Sequence, residues 1–403
     1  MAGGAARAAL SGAAPEGVEE LAIESLAAGG AGVGRAADGR VVFVPDTAPG
    51  DRVRVRLVAR HRRHAEGRLE ELLVPGPARV EPPCPVFGTC GGCAWQHLAY
   101  PAQLEAKAGI LRDALARIGG LTPPRELRIV PSPAPYAYRR RARVLVRGGR
   151  TGFRRRRSNE LCATARCPVL VPALEEALAE LAAEAPPDGE WELLAGEGEA
   201  RRSAPGRRGA PLAVRAGGDL LRVSPGVFVQ SNGPLLDPLL EAVHTAAGRG
   251  RTALELYAGA GFLTLGLARR FERVVAVEAH AAAARDLGEN CRAAGLANVE
   301  IRRARVEAAL AAPGDLPQAP DALVLDPPRS GLGRGGAEAL AGLRPGRIVL
   351  LSCAPATLAR DLGALARSGY FLSRIEGFDL FPQTPHLEAL AVVEPPGARN
   401  QPA

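Results

Sequence analysis

Lysine is almost missing from this 403-residue chain: Lys107 is the only one, and the other 50 of its 51 Lys and Arg side chains are arginine. Apolar runs of the ~20 residues that a spanning helix needs are missing too, which excludes an integral membrane protein. The opening residues lack a compact apolar core between a basic end and a cleavage site, so they read as a frayed cytoplasmic amino terminus and not a signal peptide. Seven cysteines are too few for a disulfide scaffold, and their odd number points to a cytosolic protein using some of them for metal or catalysis. No repeat of fixed period is present. At ~100–200 residues per domain, the length predicts two or three domains.

What is there is charge of one sign. The net +8 favours an anionic partner, and arginine, whose planar fork pairs with phosphate and whose face stacks on bases, suits RNA better than lysine. Nucleotide-composition bias would raise Ala, Gly, Arg and Pro together, so the position of the charge must carry the argument. Residues 17–74 hold short β-branched stretches between Gly-rich turns and Pro49-Gly50, which predicts a small β-barrel. Arg52, Arg54 and Arg56 alternate there with Val53, Val55 and Leu57, placing three guanidinium groups on one strand face as a phosphate track or a solvated face. Residues 75–235 form a mixed central domain with five of the cysteines and a flexible stretch from Gly196 to Pro211. The arginines between Arg139 and Arg157 are interleaved with Tyr136, Tyr138 and Phe153, a composition that grips unstacked nucleotides.

From residue 236 to 395 strands alternate with helices, the pattern of an open, doubly wound parallel α/β sheet whose ligands sit at the carboxyl ends of its strands. The run from Glu255 through Tyr257 to Gly259, Gly261 and Thr264 is a strand, a Gly turn and a helix start, and it lacks the third glycine of a nicotinamide dinucleotide site. Glu278 ends the next strand, where a carboxylate can accept both ribose hydroxyls. Together they fit S-adenosyl-L-methionine, although the turn alone would equally suit any nucleotide fold. Asp326 is aimed above the sheet by Pro327 and Pro328. Cys353 sits at a strand lip before a helix begun by Pro355, whose amino end favours a thiolate, or it is an inert buried cysteine. Glu388, in the apolar strand 387–393, reads as a buried general base or as the partner of a structural arginine.

The runs Asp326-Pro-Pro-Arg329, Ser352-Cys353-x-Pro355 through Asp361, and Phe381-Pro382-x-Thr384-x-His386-x-Glu388 resemble the RNA (uracil-5-)-methyltransferase family in order and spacing. The resemblance implies a Rossmann-like methyltransferase domain, a TRAM-type amino-terminal barrel, and Cys353 as nucleophile with Glu388 as base. It also implies Gln230, Tyr257, Glu278 and Asp326 as S-adenosylmethionine contacts, beside Gly259 and Gly261 of the turn. Cys84, Cys90, Cys93 and Cys167 are similar to the four ligands of the [4Fe-4S] cluster in the ribosomal RNA branch. Read without the family, four thiolates could equally hold zinc. Cys162 competes with Cys167, which is preferred for its Cys-Pro-hydrophobic context, and Cys291 reads as an ordinary helix cysteine. Two positions depart from the family: Phe262 stands where members often have a small or polar residue, and Arg305 where they have a short polar one. The expectation is a cytoplasmic, monomeric enzyme methylating uracil in RNA, 23S ribosomal RNA above transfer RNA. Its rival is a non-catalytic RNA-binding iron-sulfur protein.

Overall fold

The computed structural model describes residues 17–204 and 209–397. Residues 1–16 of the terminus expected to be frayed, and 205–208 of the stretch expected to be flexible, lie outside the described residues. Two compact units are present: one holds the chain to residue 82 with residues 93–106 and 383–385, the other holds the remainder.

In the first unit, β1 (Val18–Leu26), β2 (Gly32–Arg35), β3 (Val41–Val44), β4 (Arg52–Arg60) and β5 (His64–Val74) close into a barrel in the order β1-β2-β3-β5-β4. Alternation along β4 buries Val53, Val55 and Leu57 against Leu21, Ile23, Val42 and Val44 and turns Arg52, Arg54 and Arg56 outward. That outer face is not an unopposed row of charge. Register sets Glu20 of β1 and Glu71 of β5 opposite Arg54, which pairs with both, and Arg56 pairs with Glu70. Only Arg52 of the three makes no ion pair among the described residues. Later in this unit Gln103, at the start of α1 (Tyr100–Arg117), donates to the carbonyls of Trp95 and Leu98 and to Gln383 Oε1, and accepts from the Gln383 N–H. These bonds hold Gln383 at a φ of 67°, a conformation a side chain rarely adopts.

The second unit begins its sheets with β6 (Ile129–Val130), β7 (Arg141–Arg147), β8 (Arg150–Arg154) and β9 (Leu161–Ala163), followed by α2 (Pro172–Glu184), β10 (Gly189–Ala195) and β11 (Ala200–Ser203). Strands in the order β11-β10-β7-β8-β9 form a sheet, and α2 packs Leu174, Leu178 and Leu181 against its Val144, Val146 and Leu193. The stretch expected to be flexible therefore contributes an edge strand. The expected Arg–aromatic grip is also corrected in part. Tyr138 is buried, with its hydroxyl donating to the Pro382 carbonyl at 2.9 Å, so its ring is not offered to a base, and Phe153 packs in part on the α2 core.

After a hairpin, β12 (Leu212–Ala216) and β13 (Asp219–Val223), comes the alternating region. It runs α3 (Leu236–Ala247), β14 (Gly250–Leu256), α4 (Thr264–Ala268), β15 (Phe271–Val277), α5 (Ala281–Ala293), β16 (Val299–Arg302), α6 (Val306–Ala311) and β17 (Ala322–Leu325). It ends with α7 (Gly336–Gly342), β18 (Ile348–Ser352), α8 (Pro355–Arg367), β19 (Phe371–Phe378) and β20 (Glu388–Glu394). The sheet order is β16-β15-β14-β17-β18-β20-β19-β6, with β14 to β18 parallel as expected and β20 antiparallel to both its neighbours. Near-continuous apolar strands such as Val274–Val277 and Ala322–Leu325 are buried on both faces, which is why they read as unbroken hydrophobic runs and not as alternation.

Candidate active site

Register in the sheet brings the two proposed catalytic residues together. β18 and β20 pair antiparallel from Ile348↔Val393 to Ser352↔Ala389, so one step further Cys353 faces Glu388 across the strand ends. Glu388 is 2% exposed and its Oε1 meets no hydrogen-bond partner among the described residues, so no structural arginine satisfies it. Burial, helped by the nearby Asp326 carboxylate and opposed by Arg329, holds its pKa well above the usual carboxylate range. Cys353 is half-buried. Burial and the Glu388 carboxylate push its thiol up, against the pull of Arg329, which hydrogen-bonds to it. Desolvation and the facing acid thus act against the ionisation that the amino end of α8 favours.

Asp326 follows β17, and burial raises its carboxyl to about 6. The loop after it is clamped by the first turns of α8: Thr357 Oγ1 donates to the Arg329 carbonyl at 3.1 Å, Arg360 to that of Ser330 at 2.8 Å, and Asp361 accepts from the Leu332 N–H at 2.9 Å. Arg329 lies 3.4 Å from His386 Nε2, and burial with the Arg329 charge lowers that imidazole to about 4, so His386 is neutral at pH 7. Neutral imidazole and buried carboxyls make this a site for proton transfer to and from a bound ring, with a sulfur nucleophile at its edge.

Beside it, Gln230, Glu255, Tyr257, Gly259, Phe262 and Asp326 line a cavity at the strand ends. Gln230 donates to Asp326 Oδ2 at 3.4 Å, and among the described residues its own Oε1 is buried without a partner. Gly259, at a φ of 57°, has open space where a side chain would be, so a ligand can approach its backbone. Gly261 serves differently: a Cβ there would stand 2.7 Å from Leu287 Cδ1, so its bareness lets α5 pack on the turn. Glu278 accepts from the Gly259 N–H at 2.8 Å and the His280 N–H at 2.6 Å, which fixes its carboxylate at the end of β15. Arg305 is not among the cavity-lining residues; its guanidinium pairs with Glu307 at 3.4 Å.

Sequence reasoning missed Glu255 as a site residue. It is 1% exposed at the penultimate position of β14, its Oε2 has no hydrogen-bond partner among the described residues, and burial, opposed by a hydrogen bond to Thr264, raises its carboxyl to about 8. The signal was available: an acid between Leu254 and Leu256 is the same anomaly that singled out Glu388. Phe228, the large aromatic left 60% exposed, also lines this cavity, with the Arg141 guanidinium 5.7 Å from its ring centre.

Cys84, Cys90, Cys93 and Cys167 are half-buried, whereas Cys162 and Cys291 are buried. Cys162, on β9, hydrogen-bonds to Cys90, and burial raises its thiol.

Residues 212–316 and 317–394 match the family model described as tRNA (Uracil-5-)-methyltransferase, and residues 18–69 match that of the TRAM domain. An RNA methyltransferase of Thermosynechococcus vestitus, described as uncharacterized, is 34% identical over 93% of this chain and 97% of its own. A 23S rRNA (uracil(1939)-C(5))-methyltransferase of Alkalilimnicola ehrlichii is 35% identical over 93% of this chain and 96% of its own. The fold is similar, at a TM-score of 0.73 and 23% identity, to that of a Pyrococcus abyssi tRNA (uracil-54, C5)-methyltransferase solved with S-adenosyl-L-homocysteine, covering 93% of this chain and 100% of that one.

Proposed function

The chain belongs to the RNA (uracil-5-)-methyltransferase family, and from that premise we propose that it methylates C5 of a uridine in 23S ribosomal RNA through a covalent bond to Cys353. The observation that carries this reading is the facing of Cys353 and the unpartnered Glu388 across the β18–β20 register.

Uracil C5 is too weak a nucleophile to take a methyl group unaided. The thiol of Cys353 gives its proton to solvent, its sulfur adds to C6, and the ring electrons move to C5 and the O4 side as an enolate. S-adenosyl-L-methionine, when bound, supplies an electrophilic methyl group. The partnerless polar atoms of Gln230 and Glu255 and the bare Gly259 fit such a molecule, and Gln230, Tyr257, Glu278 and Asp326 would hold it. After transfer, Glu388 takes the C5 proton, the C5–C6 double bond re-forms, and the C6–S bond breaks to release the sulfur. A buried carboxylate whose pKa stands above the usual range is a stronger base for that proton than an exposed one. The uridine must leave its stack to reach these residues, at a cost of a few kcal/mol that is least in a loop.

Cys84, Cys90, Cys93 and Cys167 would hold a [4Fe-4S] cluster. Half-buried thiols are the donor chemistry it requires. The enzyme would work as a cytoplasmic monomer.

The adduct is tested with Glu388→Gln, which keeps size and loses the base. Incubated with RNA and S-adenosyl-L-methionine, this variant should give a protein–RNA band on a denaturing gel, and Cys353→Ala/Glu388→Gln should give none. Normal turnover by Glu388→Gln would remove Glu388 from the C5 deprotonation step.

A further inference from the structure

We propose that the β4–β5 turn of the barrel is a binding site for a divalent metal of the zinc class, held by His61, His64 and Glu66. One nitrogen of each imidazole and one carboxylate oxygen all lie within 4.8 Å of one another. Period-2 alternation sets His64 and Glu66 on the same face of β5, and the bond from the His61 N–H to the His64 carbonyl, 2.8 Å, folds His61 back over them. The two imidazoles lie face to face, 4.4 Å apart with 25° between their planes.

The spacing itself argues for a shared ion. Among the described residues His61 Nε2 is buried without a hydrogen-bond partner, and its distance to Glu66 Oε1, 3.7 Å, is too long for a hydrogen bond. Two donors each ~2.0–2.1 Å from one zinc ion stand roughly 3.3–3.7 Å apart. The backbone beneath is fixed, because β5 pairs with β3 through Val41↔His64 and Phe43↔Glu66 and with β4 through Ala59↔Glu66. Phe43 packs edge-on to the His64 ring at 5.5 Å, which limits the ring's rotation. Two imidazoles and one carboxylate suit zinc better than magnesium or calcium, which want oxygen alone. Three protein donors leave the fourth tetrahedral place to water. Arg62 and Arg63, which share the turn, are exposed to solvent, where their charges are screened from the ion.

The test uses full-length protein with its thiol ligands loaded, and zinc ion alone as the probe. The chain has six histidines, so their ring signals can be followed by NMR. One equivalent of zinc should move two ring signals, those absent from the spectra of His61→Ala and His64→Ala. Glu66→Gln should weaken zinc binding at least tenfold without changing the melting temperature in the absence of metal, and zinc should raise the melting temperature of the parent chain but not of His64→Ala. Zinc that moves other histidines only, or that binds Glu66→Gln and His64→Ala as tightly as the parent, overturns the site and leaves His61 and Glu66 as a plain ion pair.

Discussion

Replacing Lys107 should destabilise this protein more than replacing any exposed arginine. The single lysine of the chain and Asp379 are both fully buried and ion-paired, and Lys107 Nζ also donates to the Phe381 carbonyl at 3.0 Å. The Asp379 carbonyl accepts from Asn232, which donates to Ser132 at 3.0 Å. Residues 379–381 open the segment that ends in His386 and Glu388, so this pair anchors one end of the active-site loop. Lys107→Met leaves the Asp379 carboxylate buried with no cation beside it, and breaking a buried pair in this way costs about 3–5 kcal/mol. Lys107→Met with Asp379→Leu removes both charges and should cost less than the sum of the single changes. Lys107→Arg keeps the charge but forces a planar fork into a space filled by a compact ammonium, for an expected loss of about 1–3 kcal/mol. Urea unfolding of the parent, Lys107→Met, Asp379→Leu, the double variant and Lys107→Arg at one pH measures each value. A Lys107→Met chain within about 1 kcal/mol of the parent would refute the argument, as would a double variant that loses the full sum.

Glu255→Gln should change stability with pH in a defined direction. The folded-state pKa of about 8 lies above the ordinary 4.5, so the parent's stabilisation from holding that proton is complete below pH 4.5 and is lost as pH rises toward 8. The variant should therefore gain on the parent across that window, by at most about 1.4 kcal/mol per pH unit; equal urea midpoint differences at pH 5 and pH 8 would contradict this. Methyl transfer in a single turnover should accelerate by up to about tenfold per pH unit from 6.5 to 8.5, because the Cys353 thiol is held above its ordinary pKa and only its thiolate adds to C6. A flat profile would mean that the sulfur is already ionised. Anaerobically purified protein should be brown, Cys167→Ser should bleach it, and Cys162→Ser should leave the colour; colourless protein with stoichiometric zinc on these thiols would reject the cluster.

Composition and local pattern determined a good deal by themselves. Apolar runs punctuated by Gly and Pro located β14 to β18, because strands buried on both faces must be apolar throughout, and alternation in β4 separated Val53 and Val55 from Arg52 and Arg54. Only the tertiary structure decided which charges remain free. Arg54 and Arg56 are neutralised by acids from β1 and β5, and no reading along β4 can show its neighbours. Tyr138 of the central domain went inward for the same reason: its hydroxyl donates to a carbonyl 244 residues away. Pro355 announced the helix behind Cys353, but ionisation depends on what faces the thiol, and the antiparallel return of β20 put Glu388 there. Residue identity and spacing are local and can be read along a chain; desolvation, register and ion pairing belong to groups that meet only when distant segments pack.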